Sequence, residues 1–462
     1  MTGIGRRISI GLGLVALLLF GITSSAGATS AAKDRGGQIT PKVIGGSVAP
    51  NGDWPSQAAL LASSISNPSN AQFCGGTLID EYWVLTAAHC VTDDDGVVVP
   101  ASSIQVAIGI NDLASITSSD RIALNSIRVI PGWNPTTYQW DFALLELKTR
   151  SNQPTTALIS PSQASVTTGG QPGEVAGWGC LVPPSSAPDA CTSLSPGDFP
   201  DDLMEANVSF VSDAQCLSGS SYGGEFFPDS MICAGAYATG NPDTCSGDSG
   251  GPLIAFAAGG QRVLAGITSW GRGCALPNYP GVYSRVLAGR GWILSTLGEN
   301  LRLTVTKSGS GSGTVTSSPS GISCGSSCSV DFAFGTTVTL TAKADSGSGF
   351  KGWSGACSGT GSCQVLLTDA TQVGAEFAKG PTASLKAKPP SKTHSRKATF
   401  KFKSSQSGSS FKCQLDGKSW GKCSSPKTYK NLKRGRNHAF RVKALKDGIT
   451  GPIKKYGWYV NN

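Results

Sequence analysis

From residue 42 to about residue 297, apolar positions come as short runs or in alternation, separated by clusters of Gly, Pro, Asn and Ser. Residues 104–110 and 263–270 are two such runs, and a period of two marks a strand with one buried face. The pattern predicts an all-β barrel domain. Only its end departs: Val286, Trp292, Ile293 and Leu297 share one side of a helical repeat, which predicts a closing helix over 286–297. Further runs at 303–306, 336–341 and 375–378, with Gly and Ser between them, predict a small β module. The stretch 308–313 reads either as a flexible linker or as a glycine hairpin, because β-branched residues resume at Thr314. From Pro381 a third region alternates Phe400, Phe402, Phe440 and Val442 with Lys401, Lys403, Arg441 and Lys443. It predicts core strands and one basic sheet face.

Composition agrees with several β domains. The chain has 462 residues, whereas single domains cluster at ~100–200 and barrels reach ~250. With 60 Gly, 26 Pro and only 15% charged residues, long amphipathic helices cannot dominate. Arg6 and Arg7 precede the apolar run 8–22, and small residues follow to position 28, so residues 1–28 read as a signal peptide. Ser9, Gly11 and Gly13 interrupt that run, which is shorter than the ~20 residues of a spanning helix, so no transmembrane anchor is expected. Export lets the 14 cysteines pair as disulfides. His89, His394 and His438 sit in no ligand-spaced motif, and Asp93-Asp94-Asp95 lacks the alternation of a calcium loop. No metal or other cofactor is expected.

Charge is distributed unevenly: residues 381–462 hold 20 Lys+Arg and 2 Asp+Glu, against 18 and 27 in residues 1–380. Such a basic tail is attracted to phosphate, anionic polysaccharide or anionic lipid over ~8–10 Å.

Three distant segments carry the parts of an acyl-transfer site: Thr86-Ala87-Ala88-His89-Cys90, Asp141 ahead of an apolar run, and Gly247-Asp248-Ser249-Gly250-Gly251-Pro252. A serine hydroxyl is a poor nucleophile until a neutral imidazole takes its proton, and a buried carboxylate must hold that imidazole in the right tautomer. Ser249, His89 and Asp141 meet those needs, and His89 is the only histidine before residue 394. Singly, such residues are ordinary turn formers. Together they point to an acyl-transfer enzyme with a serine nucleophile, with a catalytically idle, exported adhesion protein on the same scaffold as the alternative.

On these segments, with Val43-Ile44-Gly45-Gly46, Cys74-Gly75-Gly76-Thr77-Leu78-Ile79, Gly177-Trp178-Gly179 and Ser269-Trp270-Gly271, residues 43 to about 297 resemble the chymotrypsin family, and within it the trypsins. The resemblance implies a trypsin-like double six-stranded β-barrel with a C-terminal helix and serine endopeptidase activity. It implies that the N–H groups of Gly247 and Ser249 form the oxyanion hole. Ser269, Trp270 and Gly271 would offer an edge strand to the substrate backbone, with Ser269 also bonding Asp141. Asp243 matches the acid at the base of the primary specificity pocket, with Gly271 and Gly281 as open walls. A buried carboxylate facing an apolar slot is costly unless it meets a cation, so cleavage after Arg or Lys is expected. A cut after Lys42 would free the Val43 α-amino group for Asp248, making residues 29–42 an activation propeptide and 43–298 the protease domain. The resemblance pairs Cys74 with Cys90, Cys216 with Cys233, and Cys245 with Cys274, leaving Cys180 and Cys191 to close their own loop. Val43, where Ile is common, and Trp140, where Asn is common, are departures compatible with catalysis.

The segment Gly347-Ser348-Gly349-Phe350-Lys351-Gly352-Trp353 gives residues 301–379 a resemblance to the divergent internalin-B-type repeat of bacterial surface proteins. Cys324–Cys328 and Cys357–Cys363 would staple its thin core. Phe411-Lys412-Cys413-Gln414-Leu415-Asp416-Gly417, with Cys423 as the partner of Cys413, makes residues 381–462 resemble an immunoglobulin-like or fibronectin-like module of exported bacterial proteins. The expected whole is a secreted bacterial monomer acting on proteins or peptides. Its basic module would either tether it to anionic cell-wall polymer or a cell surface, or serve as a soluble spacer with a basic surface. Nucleic acid is not an expected partner, since no stacking platform or groove-reading motif accompanies the charge.

Overall fold

The computed structural model describes residues 43–181, 199–324 and 327–462. The expected signal peptide, the propeptide with Lys42, and Cys191 lie outside the described residues. The chain forms two compact units, Met1–Ile293 and Leu294–Asn462. No helix among the described residues is long and apolar enough to cross a membrane.

The first unit holds two closed antiparallel barrels of six strands. Around the first run Gln57–Ala62, Gln72–Asp80, Trp83–Thr86, Ala143–Leu147, Ile122–Val129 and Ile104–Ile108. Its interior is filled by Leu60, Leu78, Val84, Val106 and Leu145, the apolar half of the alternation. Around the second run Met204–Val211, Met231–Ala234, Gly281–Arg285, Arg262–Trp270, Pro252–Phe256 and Pro172–Gly177, which pairs back onto Met204–Val211. The helix Val286–Leu297 follows directly. It buries Val286, Gly289, Arg290 and Ile293 more fully than Trp292 and Leu297, so the buried face is rotated from the expected one. Gly289 explains the rotation: a Cβ there would stand 2.9 Å from the Phe142 ring, and only glycine lets the helix approach that closely. Phe142 is the neighbour of Asp141, so this contact holds the segment carrying a site residue.

In the second unit, residues 300–379 form two four-stranded sheets. One is ordered Ser327–Ala333, Asn300–Ser308, Thr371–Lys379, Ser348–Gly355, and the other Ser323–Cys324, Gly313–Ser318, Thr337–Ala344, Cys363–Leu366. Val305, Val315, Leu340, Trp353 and Phe377 share its core. Residues 308–313 are neither linker nor hairpin: they cross from one sheet to the other, and Gly311 donates its N–H to the Phe377 carbonyl.

Residues 383–460 form a three-stranded sheet, Ala383–Ala387, Ala398–Ser404, Lys427–Tyr429, and a larger one ordered Lys392–Thr393, Lys454–Val460, Arg436–Lys446, Ser410–Leu415, Gly421–Cys423. Phe400 stacks on Phe440 between them at 4.0 Å. The single basic face expected from the alternation becomes two. Lys401 and Lys403 lie on the outside of the three-stranded sheet, and Arg441 and Lys443 on the outside of the larger one. A period of two assigns residues to strand faces; it cannot tell which strands share a sheet.

Candidate active site

His89 lies in the turn Ala88–Cys90, just beyond the strand Trp83–Thr86, and Asp141 stands two residues ahead of the strand Ala143–Leu147. These strands pair with Thr86 opposite Ala143, which brings both side chains to the same barrel end. His89 Nδ1 lies 2.7 Å from Asp141 Oδ2, and the His89 backbone N–H donates to Oδ1 at 2.9 Å. Because the carboxylate only accepts, Nδ1 carries a proton, and in the neutral ring Nε2 is left as a base. Ser269 Oγ donates to Oδ2 at 2.6 Å, and Ser284 Oγ donates to the Asp141 carbonyl at 2.9 Å. Asp141 is fully buried, so its orientation is set by these four donors, two of which, the His89 N–H and Ser284, no sequence motif reveals.

Ser249 sits between the barrels at the tip of the 247–251 turn. Its carbonyl accepts the Gly75 N–H at 2.7 Å, and Gly250 N donates to the Thr268 carbonyl, tying the turn to both barrels. Gly247 has φ +100°, a conformation an L side chain rarely adopts, and a Cβ there would stand 3.0 Å from Gly179. Among the described residues the N–H groups of Gly247 and Ser249 donate to no protein acceptor, whereas the Gly247 carbonyl is held by Gln72 Nε2 at 3.1 Å. Gln72 is another residue that the motifs do not reveal. One cleft is lined by His89, Gly247, Ser249, Ser269, Trp270, Gly271, Gly281 and Asp243. Beside it, the strand Arg262–Trp270 pairs with Gly281–Arg285 on one side, while its pairing with Pro252–Phe256 ends at Ile267. Residues 269–271 therefore face the cleft on their other side.

Asp243 lies at the bottom of that cleft, 1% exposed. Oδ1 accepts the N–H groups of Thr244 at 2.9 Å and Gly281 at 3.2 Å, and Oδ2 accepts that of Ala275 at 2.8 Å. Burial nonetheless pushes its carboxyl up to about 7, because three dipoles do not replace water around a charge. Gly281 is required here, since its absent Cβ would stand 2.9 Å from Oδ1.

Asp248 points away from the cleft and is fully buried. It accepts from Gly179 N at 2.7 Å and Cys245 N at 2.9 Å, and burial raises its carboxyl to about 6. A Cβ at Gly177 or Gly179 would collide with this carboxylate, which gives the Gly177-Trp178-Gly179 motif its physical reason. Val43 is buried, and Ile44 packs with Cys180 and Cys245 and accepts the Asp243 N–H at 3.1 Å. A chain end freed at Val43 would thus start beside the residues that hold both acids.

An aromatic pair with no signal in the motifs covers one side of His89. Tyr138 lies 5.6 Å from the imidazole, edge-on to Trp133. Tyr138 and Trp140 both adopt positive φ, and Tyr138 lines the cleft. Disulfides Cys74–Cys90, Cys216–Cys233 and Cys245–Cys274 brace the site; Cys324–Cys328, Cys357–Cys363 and Cys413–Cys423 lie in the second unit. Cys180 is disulfide-bonded, but the loop it is expected to close with Cys191 lies outside the described residues. The one grouping with metal-ligand spacing among the described residues, Cys74, His89 and Cys90, has both sulfurs committed to a disulfide.

Residues 43–293 match the family described as Trypsin, and residues 303–381 match the Divergent InlB B-repeat domain. Trypsin-1 of Astacus astacus is 35% identical over 254 residues, 54% of this chain and 98% of the relative. Transmembrane protease serine 11C of Mus musculus is 35% identical over 266 residues, 56% of this chain. Serine proteinase stubble of Drosophila melanogaster is 35% identical over 260 residues, 55% of this chain. The chain spans only 54% and 31% of the length of those last two relatives. The match covers more than half of the chain, which belongs to the trypsin family of serine endopeptidases.

Proposed function

We propose that this protein is a secreted endopeptidase that cleaves after Arg or Lys through an acyl-enzyme on Ser249. Ser249 Oγ attacks the scissile carbonyl while His89 Nε2 takes its proton; the imidazolium gives that proton to the leaving amine, and water repeats the sequence to release the acid. Asp141 fixes the tautomer, and the unused N–H groups of Gly247 and Ser249 receive the carbonyl oxygen as it gains charge. Two hydrogens and one oxygen enter from water, and no cofactor is needed.

One observation carries the specificity: Asp243 is buried at the bottom of the same cleft with no cation bonded to it among the described residues. An Arg or Lys side chain entering the slot supplies the missing charge, whereas a neutral side chain leaves the carboxyl desolvated for nothing. Cleavage after Lys42 would supply Asp248 with the Val43 ammonium in the same way. The test is peptide-library profiling of Asp243→Ser. Cutting after Arg and Lys should drop by about 10²–10³-fold as the buried pair is lost. Unchanged strict preference for basic residues would show the pocket acid to be misassigned.

The C-terminal modules support a placement role. The InlB-like repeat joins the protease to a basic β module of two face-packed sheets, the arrangement expected of an immunoglobulin- or fibronectin-like fold. That module would hold the enzyme at an anionic surface outside the cell, concentrating it near substrate.

A further inference from the structure

We infer that the outer face of the larger C-terminal sheet is a binding platform for an anionic, hydroxyl-rich linear polymer, with sulfate or phosphate groups repeated along a sugar or polyol backbone. This rests on the tethering reading and specifies which face makes the contact and with what.

Strand register gathers the charges. Lys412 stands opposite Lys422 on one side and Lys443 on the other, and Arg441 stands opposite Lys455. Their strand neighbours Phe411, Cys413, Phe440 and Val442 pack in the core, so period two turns all five cations outward. Strands lie ~4.8 Å apart and alternate residues ~7 Å apart along each strand, which makes the set a two-dimensional lattice of positive charge. Like charges directly opposite one another destabilise a sheet. Residues 381–462 contain only Asp416 and Asp447 as acids. Asp416 is committed to His438 and to the Ala439 N–H, and none of the five cations is bonded to a carboxylate among the described residues. Lys443 instead lies over the Trp420 ring at 4.6 Å.

Edge protection does not account for Lys412, Arg441 and Lys443, although Lys422 lies on the edge strand Gly421–Cys423. Lysine is common on edge strands, where it blocks pairing with other chains. Here Lys412 lies on Ser410–Leu415 and Arg441 and Lys443 on Arg436–Lys446, both interior strands of the sheet. The fold thus tolerates repulsion in the middle of a sheet, and an external polyanion relieves it.

The residue types narrow the partner. Four of the five cations are lysines, compact point charges that read charge density and not the planar geometry of one particular anion. A groove beginning at Lys412 and Lys422 is lined further by Ser409, Ser410, Ser424 and Ser425, with Phe411, Cys423 and Leu445 as its apolar wall. Hydroxyls beside lysines suit a hydroxylated backbone carrying anionic groups, whereas unstacked bases need exposed aromatic platforms, and Trp420 is already covered by Lys443.

The test uses the full chain with Ser249→Ala, to prevent self-cleavage, on immobilised dextran sulfate and on poly(glycerol phosphate), with uncharged dextran and a poly-dT oligonucleotide as further arms. A quadruple variant, Lys412→Gln, Lys422→Gln, Lys443→Gln and Lys455→Gln, is compared with a charge-matched control changed to Gln at Lys397, Lys401, Lys403 and Lys430, on or beside the three-stranded sheet. The parent should bind both polyanions at about 50 mM salt and release as salt rises. The face variant should bind about 10²-fold more weakly with a salt slope reduced by about 3, and the control within about threefold of the parent. Equal losses in the two variants overturn the face while leaving tethering intact; no binding by the parent to either polymer overturns tethering itself. Tighter binding to poly-dT than to both polymers at equal charge overturns the choice of partner. Should the variant misfold, protection of Lys412 and Lys422 from acetylation by bound polymer, read on the unmutated face, decides the same question: no protection overturns the assignment.

Discussion

The protease unit and the last β module use charge in opposite ways. Residues 43–297 carry 21 Asp+Glu and 8 Lys+Arg, residues 381–462 carry 2 and 20. In the first region the informative charges are few and buried: Asp141, Asp243 and Asp248 are each at most 1% exposed and bound by N–H or O–H donors at fixed distances. In the second they are many, exposed or half-buried at the surface, and in a repeating register. A buried charge has a large free energy that depends on one partner, so a single substitution is decisive. An exposed charge acts by addition, so each residue counts little and the set counts much.

The largest expected break of this contrast is His89→Ala, which removes the base at Ser249. Turnover of an Arg-ended amide should fall by roughly 10⁵-fold or more in steady-state assays. A loss under tenfold would remove His89 from the chemistry. Asp248→Asn comes next. If the Val43 ammonium, freed by cutting after Lys42, pairs with Asp248, the variant leaves that cation buried alone and kcat/KM should fall by about 10²–10³-fold. Normal activity in the cut variant would separate activation from Asp248.

Smaller is the effect of pH on folding before the cut. The carboxyls of Asp243 and Asp248 are raised from 3.8 to about 7 and about 6, so the folded state keeps protons that the unfolded state has released. Stability from these groups is therefore present below about pH 4 and lost as pH rises toward 6 and 7, by on the order of 3 kcal/mol for Asp248. Melting temperatures of uncut Ser249→Ala protein, with and without Asp248→Asn, should diverge in that window, the Asn form losing less. Parallel curves would rule out the buried carboxyl as the cause. Removal of a single face lysine, at the low end of the scale, should weaken polymer binding only a few-fold.

The contrast also governs what the sequence could disclose. His89, Asp141, Ser249 and Asp243 lie in short segments whose residue types are forced by chemistry, so they are readable locally. Gln72, Tyr138 and Gly289 act by contacts that barrel closure creates across the chain, with Gln72 reaching Gly247 over 175 positions, and no local pattern announces them. Gly177 and Gly179 appear as a motif, but their reason, the Asp248 carboxylate, emerges only in space. Alternation identifies which lysines point outward in the last module. It cannot separate Lys401 and Lys403 from Arg441 and Lys443, because sheet membership depends on pairing between strands distant in sequence.

If the buried carboxylates and the Ser249 turn form one machine for cutting after basic residues, its output can be read in a single assay. An Arg-ended chromogenic amide is offered to protein cut after Lys42, beside the same preparation of Ser249→Ala. Rapid hydrolysis is expected from the first, and a rate lower by roughly 10⁵-fold or more from the second. Equal rates, or no hydrolysis by either with the cut verified, would refute the proposed machine.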